Sequence, residues 1–375
     1  MRVGVFHPAL DMYGGAEVVA VITANTLAQS GCDVVLLANR KVDQAKTEEM
    51  VGESLDTSIE VIVDPAFLRP RGPFHLYESA VRTLTFKKKC DILVDTYSCY
   101  IFPWIDVSYM HFPYLNNYEY RPKFPYVKTP HLQHVAALPY AILEKNLESY
   151  DRKLILANSY FTAKAIEESL GADSKVLYPP IPSTFFEKSF ENRRQTREDL
   201  AVTVARFGWG KGVELVPEIA ALTDKKIRFI MIGLAHDPNV IQTVRRRIKK
   251  LNLEARVKIM TNAPRQDIKS ILGKAKVYLH TTKMEHFGMS IAEAMAVGCL
   301  PIVHNSGGAP EFVPEQYRYE TLREAAEKTE RAILEWSPER ENEMMKIAER
   351  FSQKNYSERF MTLFREYVES TYRKN

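Results

Sequence analysis

Hydrophobic positions in the first half of the chain alternate between short β-branched runs and longer stretches with the period of a helix. The runs predict strands at residues 3–6, 34–38, 92–95, 107–110, 154–157 and 176–178, and the stretches predict helices at 16–29 and 161–170. Strands that alternate with helices are typical of a parallel sheet covered on both faces. The first half is therefore predicted to form a doubly wound α/β domain.

The alternation stops after Tyr178 and then starts again. Residues 179–199 contain three prolines, many charges and no apolar period, which is typical of a linker. Beyond it, strands are predicted at 201–205, 227–232, 257–260, 277–280 and 301–303, and helices at 213–222, 238–251, 266–272 and 291–296. From Thr321 the pattern is helical, and its last stretch, 356–372, is long enough to dock against the first domain.

These patterns predict a first domain over residues 1–182, a second doubly wound domain over 183–354, and a terminal helix over 355–375 that packs back on the first domain. A length of 375 residues also favours two or three domains over one. Open α/β sheets bind ligands at the carboxyl ends of their strands. We therefore expect the functional site in a cleft between the two domains.

Composition is that of a soluble globular protein. Hydrophobic residues make up 45% and charged residues 26%, and Lys and Arg exceed Asp and Glu by only 51 to 47, too few to coat nucleic acid. Four cysteines without CxxC spacing argue against a zinc site or a disulfide framework and indicate a reducing compartment. The N-terminal apolar run is too short for a signal peptide, and no run approaches the roughly 18 apolar residues of a membrane span. We expect a cytoplasmic protein.

A first candidate site is Gly14-Gly15-Ala16-Glu17, between the first predicted strand and the first predicted helix. The unpaired N–H groups and the dipole of a helix N-terminus favour an anion, and the glycines Gly14 and Gly15 let a phosphate approach closely. A glycine pair at such a turn is as often only a tight turn. The motif alone leaves both interpretations open.

A second candidate is the glycine-rich loop 206–212, which again follows a predicted strand and precedes a predicted helix. Arg206 and Lys211 flank its turn, and two fixed cations suit a diphosphate. A solvated arginine and lysine are the alternative. The position of the loop between strand and helix favours the phosphate.

The third and most specific stretch is 284–298. Gly288 and Ser290 predict a helix start, so Glu285 lies in the preceding loop and Glu293 in the second turn of the helix. Ionised carboxylates accept hydrogen bonds from sugar hydroxyls, while N–H groups at the helix start hold phosphate. The alternative is an amphipathic helix with two solvated acids. We disfavour it because the flanking glycine-rich turns have no evident packing role.

Together these motifs resemble the retaining glycosyltransferases of family 4, which have two Rossmann-like domains in the GT-B fold. The E-x7-E pattern of Glu285 and Glu293 is its signature, and the resemblance extends along nearly the whole chain. The other matching parts are Gly14 to Glu17, Asn158-Ser159 with Thr162, Tyr178-Pro179-Pro180, Arg206, Lys211 and the terminal helix. EHFG at 285–288, HNSGG at 304–308 and MHFP at 110–113 look closest to GDP-mannose-dependent α-mannosyltransferases that extend dolichol-linked oligosaccharides.

The resemblance implies a hexosyltransferase that moves mannose from GDP-mannose to a glycan or lipid-linked acceptor with retention of configuration. The first domain would bind the acceptor and the second the nucleotide-sugar. Neither a cofactor nor a metal is expected, and the sequence contains no Asp-x-Asp. The alternatives are a UDP-sugar donor, with glucose or N-acetylglucosamine, and a sugar-nucleotide epimerase or hydrolase.

The resemblance also implies residue roles. Arg206 and Lys211 would neutralise the donor diphosphate, and His111 would lie beside the anomeric carbon. Glu285 with the amides of 287–290 would hold the donor sugar and phosphate, and Glu293 would hold the ribose hydroxyls. The predicted catalytic residues are thus His111, Glu285, Arg206 and Lys211, and the predicted donor-binding residues are Gly14, Gly15, Arg206, Lys211, Glu285, Phe287, Gly288, Met289, Ser290 and Glu293.

Two further features of the sequence concern the nucleotide base and the phosphate loop. Residues 261–263, after a predicted strand, could contact the base through backbone groups. The loop 206–212 also departs from the family pattern, because Trp209 and Gly210 precede Lys211 where the family usually has a charged residue.

Basic and aromatic residues are interleaved at 67–71 and 82–89, and residues 69–90 contain six basic residues against one acid. With the tyrosine-rich segment 114–126, they predict reversible, peripheral contact with an anionic membrane surface on its cytoplasmic face. A solvated basic face is the alternative. The basic run 245–250 raises a rival class, the nucleic-acid-binding proteins, but such runs are usually solvated helix faces, so we predict no nucleic-acid partner.

Overall fold

A computed structural model describes residues 1–66, 75–113, 150–187 and 197–372. The chain divides into two compact units. Unit 1 contains residues 1–180 and 353–375, and unit 2 contains residues 181–352. The predicted domain ends, 182 and 354, each lie two residues beyond these bounds. The predicted roles of the two domains and the cleft between them stay predictions.

Unit 1 is built on a parallel sheet. Its described strands are β1 (Arg2–Phe6), β2 (Asp33–Ala38), β3 (Glu60–Val63), β4 (Ile92–Asp95), β5 (Val107–Met110), β6 (Leu154–Ala157) and β7 (Lys175–Val176). They lie in the order β3-β2-β1-β4-β5-β6-β7. The chain therefore builds the sheet outward in one direction from β1 and in the other from β4. Ligands bind outside the carboxyl ends of the strands at such a switch point.

Between and after these strands, the described residues form the helices α1 (Gly15–Gln29), α2 (Gln44–Val51), α3 (His75–Lys87) and α4 (Tyr160–Leu170). The core on the α3 side of the sheet contains the buried rings of Phe6, Phe86 and Phe102. Burying each such ring stabilises the fold by about 2 kcal/mol. This core fixes the strand ends that carry the polar residues of unit 1.

Unit 2 repeats the architecture. Its strands are β8 (Glu198–Val204), β9 (Arg228–Gly233), β10 (Val257–Thr261), β11 (Ala275–His280), β12 (Leu300–His304) and β13 (Arg318–Tyr319). Its helices are α5 (Val216–Leu222), α6 (Pro238–Lys250), α7 (Arg265–Lys274), α8 (Met289–Ala296), α9 (Leu322–Glu335) and α10 (Pro338–Glu349). The parallel order β10-β9-β8-β11-β12-β13 places the switch point between β8 and β11.

The last helix, α11 (Gln353–Tyr372), follows unit 2 in the chain but packs in unit 1, against α1. The Tyr356 and Thr23 hydroxyls lie 2.6 Å apart in a buried hydrogen bond, and the Ser357 and Thr26 hydroxyls lie 2.7 Å apart. The Tyr356 ring also contacts the Tyr109 ring edge to face. These contacts tie the end of the chain to its first helix.

The hydrophobic pattern misses α2, β3 and α3. The strand β3 contains the β-branched run Val61 to Val63, which the prediction overlooked, although none of its four residues is buried. The helix α3 buries the polar residues Ser79, Arg82 and Thr83 while Val81 and Leu84 are exposed, so only some of its apolar positions lie on its buried face. For α3, tertiary contacts rather than an apolar period define the buried face.

The prediction of an exposed basic and aromatic cluster at 82–89 is partly wrong. Arg82 is 6% exposed, and its Nε donates to Asp64 Oδ2 at 2.9 Å. Lys87 Nζ lies 2.6 Å from Asp106 Oδ2, so the charge of this lysine is also paired. Phe86 belongs to the core. A count of charges along the sequence cannot distinguish such paired cations from free ones.

The other segments assigned to membrane contact, residues 67–71 and 114–126, lie outside the described residues. Within the ranges that the structure describes, no helix combines the length and the apolar character needed to cross a bilayer.

Candidate functional site

The candidate site in unit 2 lies at the switch point between β8 and β11. The loop 206–212 leaves β8, and Glu285 follows β11 in the chain. Lys211 Nζ lies 2.8 Å from Glu285 Oε2, and His280 Nε2 lies 3.2 Å from the same oxygen. Because β8 and β11 are neighbours in the sheet, residues 74 positions apart meet here.

Hydrogen bonds to its backbone also position Lys211. Its carbonyl oxygen accepts hydrogen bonds from the hydroxyls of Thr281 and Thr282, at 3.3 and 3.1 Å. Both threonines are buried and directly follow β11. The ammonium therefore projects from an anchored backbone, which reduces the entropy that a phosphate contact would cost.

The carboxylate of Glu285 is ionised in this setting. Burial would raise the pKa of Glu285, but the Lys211 ammonium and the His280 and His286 rings overcome burial and hold that pKa well below its usual range. A carboxylate with a low pKa is a weak base. Glu285 is thus suited to accept hydrogen bonds and to hold a cation, and it is poorly suited to remove a proton.

The glycine-rich turn 304–308 has a packing role, so the expectation that the turns flanking residues 284–298 have none is wrong. Gly307 has φ of +79°, and a Cβ at this residue would lie 2.3 Å from the carbonyl oxygen of Glu285. The Gly308 N–H donates to that same oxygen at 2.7 Å. Met284, just before Glu285, adopts the left-handed conformation with φ of +54°. This close packing fixes the backbone that carries Glu285.

The helix α8 starts where the sequence predicts, with Gly288 as its N-cap. Its first backbone N–H groups, at Met289 and Ser290, lack intrahelical partners, as at every helix start. The Ser290 hydroxyl accepts a hydrogen bond of 2.7 Å from the buried Tyr278 hydroxyl. The Phe287 side chain is 2% exposed and packs among aromatic rings, so only its backbone can serve a ligand.

Glu293 is 3% exposed, and its Oε1 lies 2.6 Å from Nη1 of Arg265, the first residue of α7. Glu293 is therefore buried and Glu285 half-buried, each is paired with a cation, and the alternative of two solvated acids is wrong. Sequence reasoning missed Arg265, because a single basic residue in a polar stretch carries no pattern.

Arg206 differs from Lys211. Its side chain is exposed, and no ion pair to it occurs within the ranges that the structure describes. It follows β8 by two residues and lies on the same loop as Lys211. Its guanidinium is thus open to an anionic ligand.

In unit 1, the backbone N–H groups at the N-terminus of α1 already have part of their hydrogen bonds satisfied within the protein. The Glu17 side chain accepts a hydrogen bond from the N–H of Gly14, the N-cap, at 2.6 Å, and its other oxygen lies 3.5 Å from Nε2 of the buried His7. The Gly14 N–H is therefore not free for a phosphate. Donor binding by Gly14 and Gly15 stays a prediction.

His111 follows β5, and its ring is neutral near pH 7. Burial first, and then the nearby His7, lower the pKa of His111 to about 4. His111 Nε2 lies 3.1 Å from the carbonyl oxygen of Thr96, which can only accept, so Nε2 carries the proton and Nδ1 is left as an acceptor. The Asn158 side chain donates to the His111 carbonyl oxygen at 2.9 Å. The ring could thus accept from a hydroxyl through Nδ1.

The structure brings Lys211, Glu285 and the start of α8 together in unit 2, with Arg206 on the same loop as Lys211. It places His111, Gly14 and Gly15 in unit 1, at the carboxyl edge of that sheet.

His111 gives a pH prediction. Its folded-state pKa of about 4 lies below the usual value near 6.5, so between these values the unfolded chain binds a proton that the native chain does not. This group therefore lowers the stability of the protein as the pH falls from 7 to 5. We expect a smaller loss of melting temperature over this interval in His111→Gln, which keeps the donor to Thr96, than in the wild type. Equal losses, or an NMR titration midpoint of His111 near pH 6.5, would contradict the assignment.

Comparison with known proteins identifies the family of unit 2. The family described as "Glycosyl transferases group 1" matches residues 184–357. The "GDP-Man:Man(3)GlcNAc(2)-PP-Dol alpha-1,2-mannosyltransferase" of Dictyostelium discoideum is 24% identical over 254 residues, which cover 60% of this chain and 49% of that protein. The Homo sapiens protein of the same name is 29% identical over 169 residues, 41% of this chain and 34% of that protein. The chain thus spans about half the length of these relatives or less.

Solved structures resemble the whole chain. The Anabaena protein HepE, in complex with UDP-glucose, matches with a TM-score of 0.71 at 17% identity, over 98% of this chain and 100% of that one. Sucrose-phosphate synthase from Thermosynechococcus elongatus matches with a TM-score of 0.73 at 14% identity, over 99% of this chain and 100% of that one. At these identities the likeness establishes the fold alone. The chain therefore has the GT-B fold, and its residues 184–357 belong to the glycosyl transferases group 1 family.

Proposed function

We propose that the chain is a retaining glycosyltransferase that moves mannose from GDP-mannose to a glycan or lipid-linked oligosaccharide without a metal ion. One observation carries the proposal: Lys211 Nζ lies 2.8 Å from Glu285 Oε2 at the loop that leads into α8. A cation, a carboxylate and free helix N–H groups are what a sugar diphosphate requires. The family match supports the reaction class, and GDP-mannose is the donor in the names of the relatives.

In this proposal the donor diphosphate is bound by Arg206, Lys211 and the first N–H groups of α8. Lys211 would be shared between Glu285 and a phosphate oxygen. Glu285 would accept from hydroxyls of the donor sugar. Arg265 holds Oε1 of Glu293, which leaves Oε2 of this carboxylate to accept from the ribose hydroxyls.

The chemical step breaks the bond between the anomeric carbon and the phosphate oxygen and forms a bond from that carbon to the acceptor oxygen. The electron pair of the broken bond goes to the phosphate, which also takes the proton of the acceptor hydroxyl on the same face. The low pKa of Glu285 agrees with this route, because a weak base would not compete for that proton. The main task of the protein is to stabilise the departing diphosphate.

Two cations of the chain carry the proposal of metal independence. Arg206 and Lys211 each bring a positive charge, that of Lys211 shared with Glu285, and neither needs to be recruited from solution. A well-placed charged donor contributes about 3 kcal/mol to such a transition state.

A UDP-sugar is the second candidate donor. The Saccharomyces cerevisiae "Phosphatidylinositol N-acetylglucosaminyltransferase GPI3 subunit" is 23% identical to this chain over 188 residues, so the relatives include a protein named for another sugar. The reaction class would be the same, and only the base and the sugar would differ.

A lipid-linked acceptor would require contact with a membrane, for which α3 offers a surface. Val81 and Leu84 are 58% and 44% exposed on this helix, and Lys88 and Lys89 just beyond it are also exposed. Exposed aliphatic residues beside lysines suit the boundary between headgroups and acyl chains. We therefore propose a cytoplasmic protein that binds the membrane reversibly through this surface.

A transfer assay tests the function. Purified protein is supplied with GDP-mannose, UDP-glucose or UDP-N-acetylglucosamine and a lipid diphosphate carrying Man(3)GlcNAc(2), in EDTA or in Mg²⁺. We expect mannose transfer that survives EDTA, and a kcat about 100-fold lower in Arg206→Ala. Arg246→Ala, an exposed arginine on α6, is the matched control and should be unaffected. Transfer from a UDP-sugar alone would overturn the assignment of GDP-mannose as the donor. A folded Arg206→Ala with an unchanged rate would overturn the assignment of Arg206 to the donor diphosphate.

Sedimentation with vesicles that contain anionic lipid tests the membrane contact. Burying one leucine is worth about 1.5 kcal/mol, so Leu84→Glu should weaken binding about tenfold or more. Leu334→Glu changes a leucine that is 84% exposed on α9 and should bind like the wild type. Equal binding by both variants would refute the proposed surface.

A further inference from the structure

Trp209 stands at the tip of the loop that carries Lys211. The Lys211 N–H donates to the Gly208 carbonyl oxygen at 3.3 Å and closes a four-residue turn, in which Gly210 has φ of +92°. The Trp209 side chain is 61% exposed. A tight turn flanked by glycines thus presents the largest apolar side chain to solvent.

The other two tryptophans are engaged. The Trp104 ring stacks on Phe102 at 5.4 Å between centroids, and its Nε1 donates to the Thr83 hydroxyl at 2.9 Å. Trp336 lies under the guanidinium of Arg197, 5.8 Å from its ring centre. For Trp209, no ring, cation–π or hydrogen-bond contact of the indole occurs in the part of the chain that the structure describes. Its exposed surface is therefore open to an external group.

The position of Trp209 relative to the proposed donor indicates which part of the substrates its indole can contact. Trp209 lies two residues from Lys211 and three from Arg206, beside the diphosphate in the proposed function. The predicted base contact at the end of β10 lies two strands from β8, or about 10 Å at the usual strand spacing. The donor sugar would lie at the pair of His280 and Glu285, whose side chains are only 3% and 14% exposed. The indole instead lies in solvent.

An acceptor must approach this same diphosphate. In the proposed step the acceptor hydroxyl gives its proton to the departing phosphate oxygen, so its sugar ring must lie next to the groups that hold that phosphate. One face of a hexose ring presents C–H groups, whose positive edges are attracted to the negative face of an indole. A tryptophan with two rotatable side-chain bonds provides this surface at little entropic cost.

We propose that Trp209 binds a sugar ring of the acceptor by stacking its indole on it, and so contributes to acceptor specificity. This inference rests on the proposed function, because the reaction brings the acceptor to the phosphate. It assigns a role to Trp209, one of the two residues at which the loop departs from the family pattern.

Kinetics of the full chain test the proposal, with a lipid diphosphate carrying Man(3)GlcNAc(2) as acceptor. Trp209→Ala should raise the acceptor KM about tenfold, which corresponds to about 1.4 kcal/mol, with the donor KM unchanged. Trp209→Phe keeps an aromatic face and should recover most of the loss. Leu334→Ala, an exposed apolar residue on α9, is the control for lost surface alone. A rise in the donor KM instead, or no change in either constant, would overturn the proposal.

A binding experiment separates this proposal from the proposed function. The free pentasaccharide Man(3)GlcNAc(2) is titrated into the wild type and Trp209→Phe, with and without GDP, while tryptophan fluorescence is recorded. We expect a saturable change in the wild type that is absent in the variant, even if no sugar is transferred. No saturable change in the wild type, or a change caused by anionic vesicles and not by the glycan, would refute acceptor stacking. GDP binding without transfer would count against the proposed function alone.

Discussion

The ion pair between Lys211 and Glu285 is the contact on which the site of unit 2 depends. It joins the loop after β8 to the segment after β11, so it exists only because these strands are neighbours at the point where the sheet changes direction. Removing the cation from such a largely buried carboxylate costs about 3 kcal/mol. The pair therefore joins the two segments at the edge of the sheet and places a cation near the start of α8.

Hydrogen bonds and close packing hold both residues of this ion pair in place. Two threonine hydroxyls hold the Lys211 carbonyl oxygen, and Gly307 and Gly308 pack on the backbone of Glu285 and His286. Both partners are therefore fixed before any ligand arrives. Preorganised charges stabilise a developing anion more effectively than mobile ones, because they need not reorient during the reaction. The arrangement that fixes these two residues thus suits the departure of a diphosphate.

Local patterns could predict much of this site. The period of the apolar residues indicated most strands and helices, and the glycine and serine at 288 and 290 indicated the start of α8, which places Glu285 before the helix and Glu293 within it. Parallel sheets bring the ends of successive strands to one edge, so the clustering of Lys211 and Glu285 also follows from the alternation of strands and helices.

Other features could not be predicted, because they depend on partners distant in sequence. Arg265 meets Glu293 across 28 residues, and nothing around Arg265 marks it. Arg82 is buried on a polar helix face, so a charge count assigned it to the surface. The glycines at 307 and 308 have a packing role that becomes visible only once the backbone of Glu285 is seen beside them.

Calorimetric titration of GDP into the purified protein in EDTA tests most directly whether Lys211 is the phosphate-binding cation. The account predicts metal-free binding by the wild type, a loss of affinity of about 100-fold in Lys211→Met, and partial recovery in Lys211→Arg, which restores the charge. The melting temperature of each variant shows whether it is folded. A folded Lys211→Met that binds GDP like the wild type, or binding that requires added Mg²⁺, would contradict the account.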